Sequence, residues 1–169
     1  MDDSVSEEFT AFVRERGHVL FRVAFSLCGQ QHAAEDLMQT ALARAAIRWG
    51  SIDDPEPYVK RILYREFVSA WRWRRIRPEV SVGEPPDAPQ AGDHAERTAL
   101  RLSLERILNT LPPKQRAVLV LRFLEDRSER EAAEILGCSE GTVASQASRA
   151  LAKLRLCREL RLTVLEVMT

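Results

Sequence analysis

Apolar side chains recur every three or four positions along most of this chain, and this spacing predicts helices. Residues 8–27 carry enough apolar positions for a pair of helices, and Gly17 predicts a break between the two. Residues 33–49 form one amphipathic segment. Its polar side carries Glu35, Asp36, Gln39 and Thr40. After a loop over 50–57, the pattern predicts a further helix over 58–76, which Pro78 ends.

Residues 78–93, PEVSVGEPPDAPQAGD, differ in character from the segments around them. They include four prolines, four acids and no basic residue, which predicts an extended and mobile linker. Another amphipathic helix runs from about 94 to 109. Since no segment shows strand alternation, we expect an all-α fold of two small helical domains, joined by this acidic, Pro-rich linker. The domain boundaries that we expect are 1–77, 78–93 for the linker, 94–160, and 161–169 for a C-terminal tail.

The segment 111–156 has the pattern of a helix-turn-helix, a motif that places its second helix in a DNA major groove. Ser128 and Glu131 have the S-x-x-E spacing of a capping box, which predicts a helix start. Gly137 suits the left-handed conformation that ends a helix, and Ser139 can cap the next one. These signals occur together, and they favour a compact helical DNA reader.

The helix over 58–77, YVKRILYREFVSAWRWRRIR, is both basic and aromatic, and Glu66 is the only acid in it. Arginine neutralises phosphates, and exposed rings stack on unpaired bases for about 1–3 kcal/mol each, so this surface suits melted DNA. Packing is the competing explanation for the rings. Phe67 and Trp71 fall on the apolar stripe, whereas Tyr64 and Trp73 suit either role. The excess of basic over acidic residues in this segment predicts an anionic partner.

The remaining composition argues against catalysis. The net charge is zero, with 25 basic and 25 acidic residues, so DNA binding must depend on where the cations cluster. Cys28, Cys138 and Cys157 lack metal-ligand spacing and the three histidines are scattered, which indicates a reduced, cytoplasmic protein without a metal site. We find no nucleophile–base pattern, phosphate loop, signal peptide or membrane-length apolar run. We therefore expect no enzyme activity, no cofactor and no membrane insertion.

Taken together, these features resemble a bacterial RNA polymerase sigma factor of the sigma-70 family. The most specific segments are AEDLMQTALARA at 34–45 and, within 111–155, LPPKQRAVLVLRFLED and SEREAAEILGCSEGTVASQASRALAKLR. The short length resembles the extracytoplasmic-function (ECF) group, which retains only regions 2 and 4. The opening EEFTAFVRERG at 7–17 resembles the sigma-E-like subgroup common in actinobacteria.

The resemblance implies a protein that binds core RNA polymerase and directs initiation at specific promoters, with an anti-sigma factor as a further partner. The first domain would melt and recognise the −10 element, and the second would recognise the −35 element. The residues implied for polymerase binding are Asp36, Leu37, Gln39 and Arg44. Those implied for the −10 element are Lys60, Arg61, Tyr64, Arg65, Arg72, Trp73, Arg74 and Arg75. Those implied for the −35 element are Ser139, Glu140, Thr142, Ser145, Gln146, Arg149 and Lys153.

Two departures from the family pattern bear on promoter choice. Ala144 and Gln146 stand where family members usually carry Lys or Arg, so we expect an altered −35 preference, with Gln146 able to read adenine. Arg65 and Ser69 replace the commoner Asn and Asp on the −10 helix. Two alternatives stay open: a sigma-like decoy that titrates an anti-sigma factor, and a polymerase-independent helix-turn-helix regulator.

Overall fold

The fold is that of a computed structural model, which describes residues 3–76 and 106–156, without the side chains of 71–76. Every regular element in these two ranges is helical. The linker at 78–93, most of the helix expected over 94–109 and the tail at 161–169 lie outside the described residues. The first range forms one lobe and the second range forms another, which we call the first lobe and the second lobe.

Three long helices build the first lobe: α1 (Asp3–Cys28), α2 (Gln31–Ala46) and α3 (Pro55–Ile76). A short 3₁₀ turn at Trp49–Ser51 lies between α2 and α3. The Trp49 ring packs against Phe9 and Phe12, with both centroid separations at 4.9 Å. These aromatic contacts fasten the N-terminal half of α1 to the end of α2.

The predicted break at Gly17 was wrong, because α1 is one continuous helix of 26 residues. A glycine inside a helix costs about 1 kcal/mol relative to alanine. Burial of Leu20, Ala24 and Leu27 further along the same helix offsets that cost. The helix therefore continues, and Gly17 lies against α2, where an added Cβ would be 3.6 Å from the Cε atom of Met38.

The second lobe begins with a helical segment at 106–110, followed by α4 (Pro113–Leu119). A π-helical turn at Val120–Leu124 extends α4. The two remaining helices, α5 (Glu129–Leu136) and α6 (Glu140–Leu156), form the helix-turn-helix.

The predicted signals around the helix-turn-helix are confirmed. The Glu131 N–H donates to Ser128 Oγ at 3.1 Å, and the Ser128 N–H donates to Glu131 Oε2 at 2.8 Å, which completes the capping box. Gly137 ends α5 with φ of 68° and ψ of 40°, in the left-handed region. The Thr142 N–H donates to Ser139 Oγ at 3.1 Å, so Ser139 caps α6.

The two lobes pack against each other, which the pattern of separate domains did not predict. Buried residues of α3 such as Leu63 and Tyr64 belong to the same hydrophobic cluster as Val118, Leu121 and Val143 of the second lobe. Both α4 and α5 contact α3, and the π-helical turn contacts α1. The second lobe therefore packs on α3, the helix that carries the basic residues. We call this arrangement, with the two lobes in contact, the closed form.

Replacing Ser128 by Ala removes the hydroxyl that caps α5, and we expect the free energy of unfolding to fall by about 1 kcal/mol. Urea denaturation followed by circular dichroism measures this loss. Ser145→Ala is the matched control, since Ser145 is exposed within α6 and caps no helix. Its effect should stay within about 0.5 kcal/mol. Equal losses for the two variants would contradict the capping role.

Glu131→Gln tests the same box through its pH dependence. The hydrogen bonds from the Ser128 backbone and side chain hold the pKa of the Glu131 carboxyl below its usual value. A lowered pKa stabilises the folded chain above the pKa of the unfolded state, and this stabilisation is lost as the pH falls through the folded value. The original chain should therefore exceed the variant in stability at neutral pH, and the difference should shrink below about pH 4. A difference independent of pH would contradict this account.

Candidate nucleic-acid and polymerase interfaces

The −35 candidates lie on and just before α6, on the side that faces away from the lobe core. Val143 and Ala150 are fully buried and hold α6 against the rest of the second lobe. Thr142 and Gln146 are half-buried. The other five candidates are exposed: Ser139, Glu140, Ser145, Arg149 and Lys153. Ser145, Arg149 and Lys153 are spaced four residues apart and therefore share one face. That face presents hydroxyl and cationic groups to solvent.

The polymerase candidates divide between surface and core on α2. Asp36 and Gln39 are exposed three residues apart, so both side chains are accessible on one face. Leu37 is only 8% exposed and packs in the core of the first lobe. Arg44 is exposed and forms an ion pair with Glu66 of α3, with Nη1 and Oε1 2.6 Å apart. Glu66, the only acid within residues 58–77, thus pairs with α2.

The −10 candidates lie on α3, and three of the four whose side chains are described contact the second lobe, although Arg65 stays exposed. Arg61 is exposed. Lys60 and Tyr64 lie one helical turn apart, and both face Glu125 of the second lobe. Arg65 reaches the end of α5. The side chains of Arg72, Trp73, Arg74 and Arg75 lie outside the described residues.

Lys60 forms a nearly buried ion pair across the lobe interface. Its Nζ atom is 2.9 Å from Oε1 of Glu125 and 3.2 Å from Oε1 of Glu56, one turn earlier on α3. The side chains of Lys60 and Glu125 are 11% and 9% exposed. Because water hydrates these two side chains so little, their charges attract each other strongly. Separating them costs free energy unless water or another charge takes the place of the lost partner.

Arg65 binds the carboxyl end of α5. Its Nε–H donates to the carbonyl of Ile135 at 3.1 Å, and Nη2 lies 3.5 Å from the carbonyl of Glu134. These carbonyls belong to the last turn of a helix, where the helix dipole is negative. The guanidinium packs beside Gly137, where an added Cβ would lie 3.4 Å from Nη2.

Tyr64 is fully buried beneath the second lobe. Burial, and then the negative charge of Glu125, raise the pKa of its hydroxyl above the ordinary value near 10. A ring in this position cannot stack on a base while the lobes are closed.

Arg116 of α4 makes a further contact between the lobes. Its Nε–H donates to the carbonyl of Ser26 on α1 at 3.3 Å, and Nη1 donates to Oδ1 of Asn109 at 2.6 Å. A cleft of about 320 Å³ lies beside it, and its walls include Asp36, Leu37 and Glu66. Two of the four polymerase candidates, Asp36 and Leu37, thus lie beside the contact between the lobes.

Neither a metal site nor a membrane span is found in the part of the chain that the structure describes. Within 3–76 and 106–156, no three His, Cys, Asp or Glu side chains are grouped closely enough to hold a metal ion. No helix in those ranges is both long and apolar enough to cross a bilayer.

Both lobes match known protein regions. Residues 12–76 match the family profile of sigma-70 region 2, and residues 101–154 match that of sigma-70 region 4. Over 151 residues the chain is 42% identical to the RNA polymerase sigma-E factor of Streptomyces coelicolor, an alignment that covers 88% of this chain and 84% of that protein. The chain belongs to the sigma-70 family, in its ECF group.

Further comparisons fit this family. The sigma factor is 31% identical over 164 residues to the ECF RNA polymerase sigma factor SigE of Mycolicibacterium smegmatis, with 91% of this chain and 63% of that protein covered. Its fold is similar to RpoE from Bartonella quintana, solved with the anti-sigma factor NepR, at a TM-score of 0.62 and 27% identity over 87% of this chain and 94% of that one. CnrH, solved with the cytosolic domain of CnrY, shares the fold at a TM-score of 0.59 and 24% identity over 89% and 87%.

Sequence reasoning missed the residues of the second lobe that contact α3, the helix that carries the −10 candidates. Glu125 lies within the family-like segment LPPKQRAVLVLRFLED, which gives no sign of a partner on α3, and the carbonyls of Glu134 and Ile135 are backbone groups. Arg116 lies within the quoted LPPKQR segment, but its spacing does not reveal a partner on α1. No pairing rule connects positions some 65 to 90 residues apart, so only the packed structure identifies them.

The Tyr58→Phe variant tests the burial of Tyr64, because the chain has two tyrosines and this substitution leaves Tyr64 alone. Since burial and Glu125 raise the pKa of Tyr64, its hydroxyl should stay protonated above pH 10 for as long as the chain is folded. Absorbance near 295 nm measures tyrosinate formation, and circular dichroism follows folding in the same sample. Ionisation near pH 10 in the folded chain would show that the hydroxyl lies in water.

Proposed function

We propose that this ECF sigma factor is a promoter-specificity subunit that recruits core RNA polymerase to a set of promoters and starts transcription there. The observation that carries the proposal is the presence of both sigma-70 regions in one chain, each within one of the two helical lobes. It has no catalytic residue of its own in this proposal, and polymerase performs the chemistry. Because polymerase works in the cytoplasm, we assign this protein to the same compartment.

Core polymerase would dock on α2 of the first lobe. Asp36 and Gln39 supply an exposed acidic and amide surface, while Leu37 packs beneath it and supports the helix. Arg44 borders the same face and is held by Glu66. The helix that carries this surface is held in place by its packing before binding. Little backbone conformational entropy is therefore lost when polymerase binds.

Promoter DNA would contact both lobes. The exposed face of α6 suits the major groove of the −35 element, where Arg149 and Lys153 contact phosphates and Gln146 reads a base edge. Arg61, Lys60, Tyr64 and Arg65 of α3 would bind the −10 element. Three of these four lie against the second lobe, so the lobes must separate before α3 can bind DNA.

The remaining parts of the chain complete the proposal. Residues 1–77 and 94–160 act as the two promoter-binding domains, and the acidic segment 78–93 would pass through the basic channels of polymerase, where its charge resembles that of RNA. An anti-sigma factor is the proposed regulator, since the similar RpoE of Bartonella quintana is solved with one.

Reconstitution with core polymerase tests the function directly. We expect promoter-specific run-off transcripts from genomic DNA when this protein is added to core enzyme, and none with core enzyme alone. Core binding without any transcript would contradict the proposal and favour the decoy. DNA binding by the chain without any affinity for core polymerase would favour the polymerase-independent regulator.

The double variant Asp36→Ala and Gln39→Ala tests the polymerase interface. Truncating two central contacts costs about 1–3 kcal/mol, so we expect the affinity for core polymerase to fall roughly tenfold or more in fluorescence anisotropy. The matched control is Glu7→Ala with Glu8→Ala, which alters two exposed polar residues near the start of α1. An unchanged affinity in the first variant, or an equal fall in the control, would show that α2 is not the docking surface.

Replacing Arg149 by Ala tests the −35 interface with the assembled holoenzyme. Loss of one phosphate contact should weaken binding to all −35 sequences alike, and it should reduce the slope of log affinity against log salt by about one. Gln146→Ala should instead change the preference among −35 sequences, since it removes a base contact. Arg14→Ala removes an exposed cation of α1 and serves as the control. An unchanged salt slope and unchanged selectivity would contradict both roles.

A further inference from the structure

An apolar groove lies where α1, the π-helical turn and α6 meet. Its volume of about 520 Å³ is within the range of about 300–1,000 Å³ that is usual for ligand-binding clefts. Apolar side chains form most of its walls: Phe21 and Phe25 of α1, Phe123 and Leu124 of the π-helical turn, and Leu151 and Leu154 of α6. None of the residues proposed for polymerase or DNA lies in these walls, so the groove has no part in the proposed function.

Some of the apolar side chains in and beside the groove are exposed to water. Phe123 and Leu124 are 60% and 64% exposed. A single exposed apolar side chain is ordinary, but two neighbours on one groove form a patch of the kind that marks a binding surface. Leu156, which ends α6 two residues after Leu154, is 85% exposed. Exposed apolar surface is therefore present in the groove and also at the residue from which the chain continues.

The chain continues from Leu156 into segment 157–169, CRELRLTVLEVMT, which lies outside the described residues. The match to sigma-70 region 4 ends at residue 154, so this segment is not part of that match. The segment is rich in large apolar residues, which are Leu160, Leu162, Val164, Leu165, Val167 and Met168. Leaving these side chains in water has a free-energy cost that grows with their apolar area, as it does for the walls of the groove.

We propose that segment 157–169 folds back on its own chain and fills the groove, with its apolar side chains against Phe123, Leu124 and the α1 wall. The occupant of the groove is thus part of the same chain. This inference goes beyond the proposed function, because it concerns a surface that is assigned to neither DNA nor polymerase, and it does not depend on how the chain binds either of them.

Connectivity favours this occupant over a separate molecule. Segment 157–169 begins three residues after Leu154, which is itself part of the wall. A stretch of this length spans roughly 40 Å when it is extended, which leaves enough chain to turn back and enter the groove. An attached segment has an effective concentration on the order of millimolar at a neighbouring site, so weak apolar contacts suffice to hold it there.

The charges of the groove and of the segment are complementary. Arg22 is exposed, and it is the only charged side chain that the described residues contribute to the wall. Glu166 is the only acid within residues 160–168, and two apolar residues lie on either side of it. A pair between these two side chains at the rim adds little free energy, but it favours one orientation of the segment in the groove.

Hydrogen–deuterium exchange of the full chain, followed by mass spectrometry, tests this occupant. We expect the amides of segment 157–169 to exchange at least about tenfold more slowly than those of a free peptide of the same sequence, because docking removes them from water. Leu124→Gln should make the segment exchange at least about fivefold faster, because it removes an apolar contact from the wall.

The matched control is Ile47→Gln, which should leave the exchange of the segment unchanged. Ile47 is 83% exposed at the end of α2 and lies outside the groove. Both substitutions replace an exposed apolar side chain by the same amide, so neither removes a buried core residue. Circular dichroism of each variant checks that the chain is folded.

A pair of changes in the segment itself guards against a folding defect in the groove variant. Leu162→Gln with Leu165→Gln leaves every described residue intact. If the groove loses its occupant, we expect the amides of residues 119–124 to exchange at least about threefold faster. Thr163→Gln is the control for this pair, since it changes a polar residue between the two leucines.

Four results would overturn the proposal. Exchange of segment 157–169 at the rate of the free peptide would show that the groove is open to a separate partner. Slow exchange that Leu124→Gln does not alter would show that other contacts order the segment. Slow exchange that is lost on dilution would show that a second copy of the chain supplies the occupant. Unchanged exchange at residues 119–124 in the double variant would show that the segment does not cover the groove.

Discussion

The seating of the second lobe on α3 is the contact on which the arrangement of the whole molecule depends. Leu63 and Tyr64 are buried in the cluster that also holds Val118 and Leu121. The apolar stripe and the basic residues are interleaved on one helix, so burying Tyr64 necessarily brings Lys60, one turn away, against the same partner. The apolar contacts favour this packing, and Lys60 and Arg65 add polar contacts beside them.

This geometry places two demands on the same residues. The same helix carries apolar side chains, which are costly to leave in water, and cations, which are costly to remove from it. Packing of the second lobe on α3 buries Leu63 and Tyr64 and pairs Lys60 with Glu125, while Arg65 stays exposed and donates to the carbonyl of Ile135. The face of α6 proposed for the −35 element is exposed. Of the two faces proposed for DNA, one is therefore exposed, and the other is partly in contact with the second lobe.

Local features of the fold were predictable because their causes are local. The capping box of Ser128 and Glu131, the left-handed Gly137 and the Ser139 cap each depend on atoms within a few residues, and all three are present. The break at Gly17 failed because burial elsewhere on α1 outweighs a small local cost. Spacing could not decide whether the aromatic rings of α3 pack in the core or stay free to stack on bases. An apolar stripe shows which side of a helix is apolar, but it does not show what packs against that side.

The sequence by itself determined the helices, their caps, the family and which face of each helix is polar, because these depend on side-chain type and on spacing along the chain. Only the tertiary structure decided that Lys60 faces Glu125, that Arg65 closes the end of α5 and that Arg116 reaches Ser26. These pairs are joined by packing of two lobes across a long sequence separation, where no periodicity or motif carries information. The accessibility of the −10 residues is therefore a property of the packed chain.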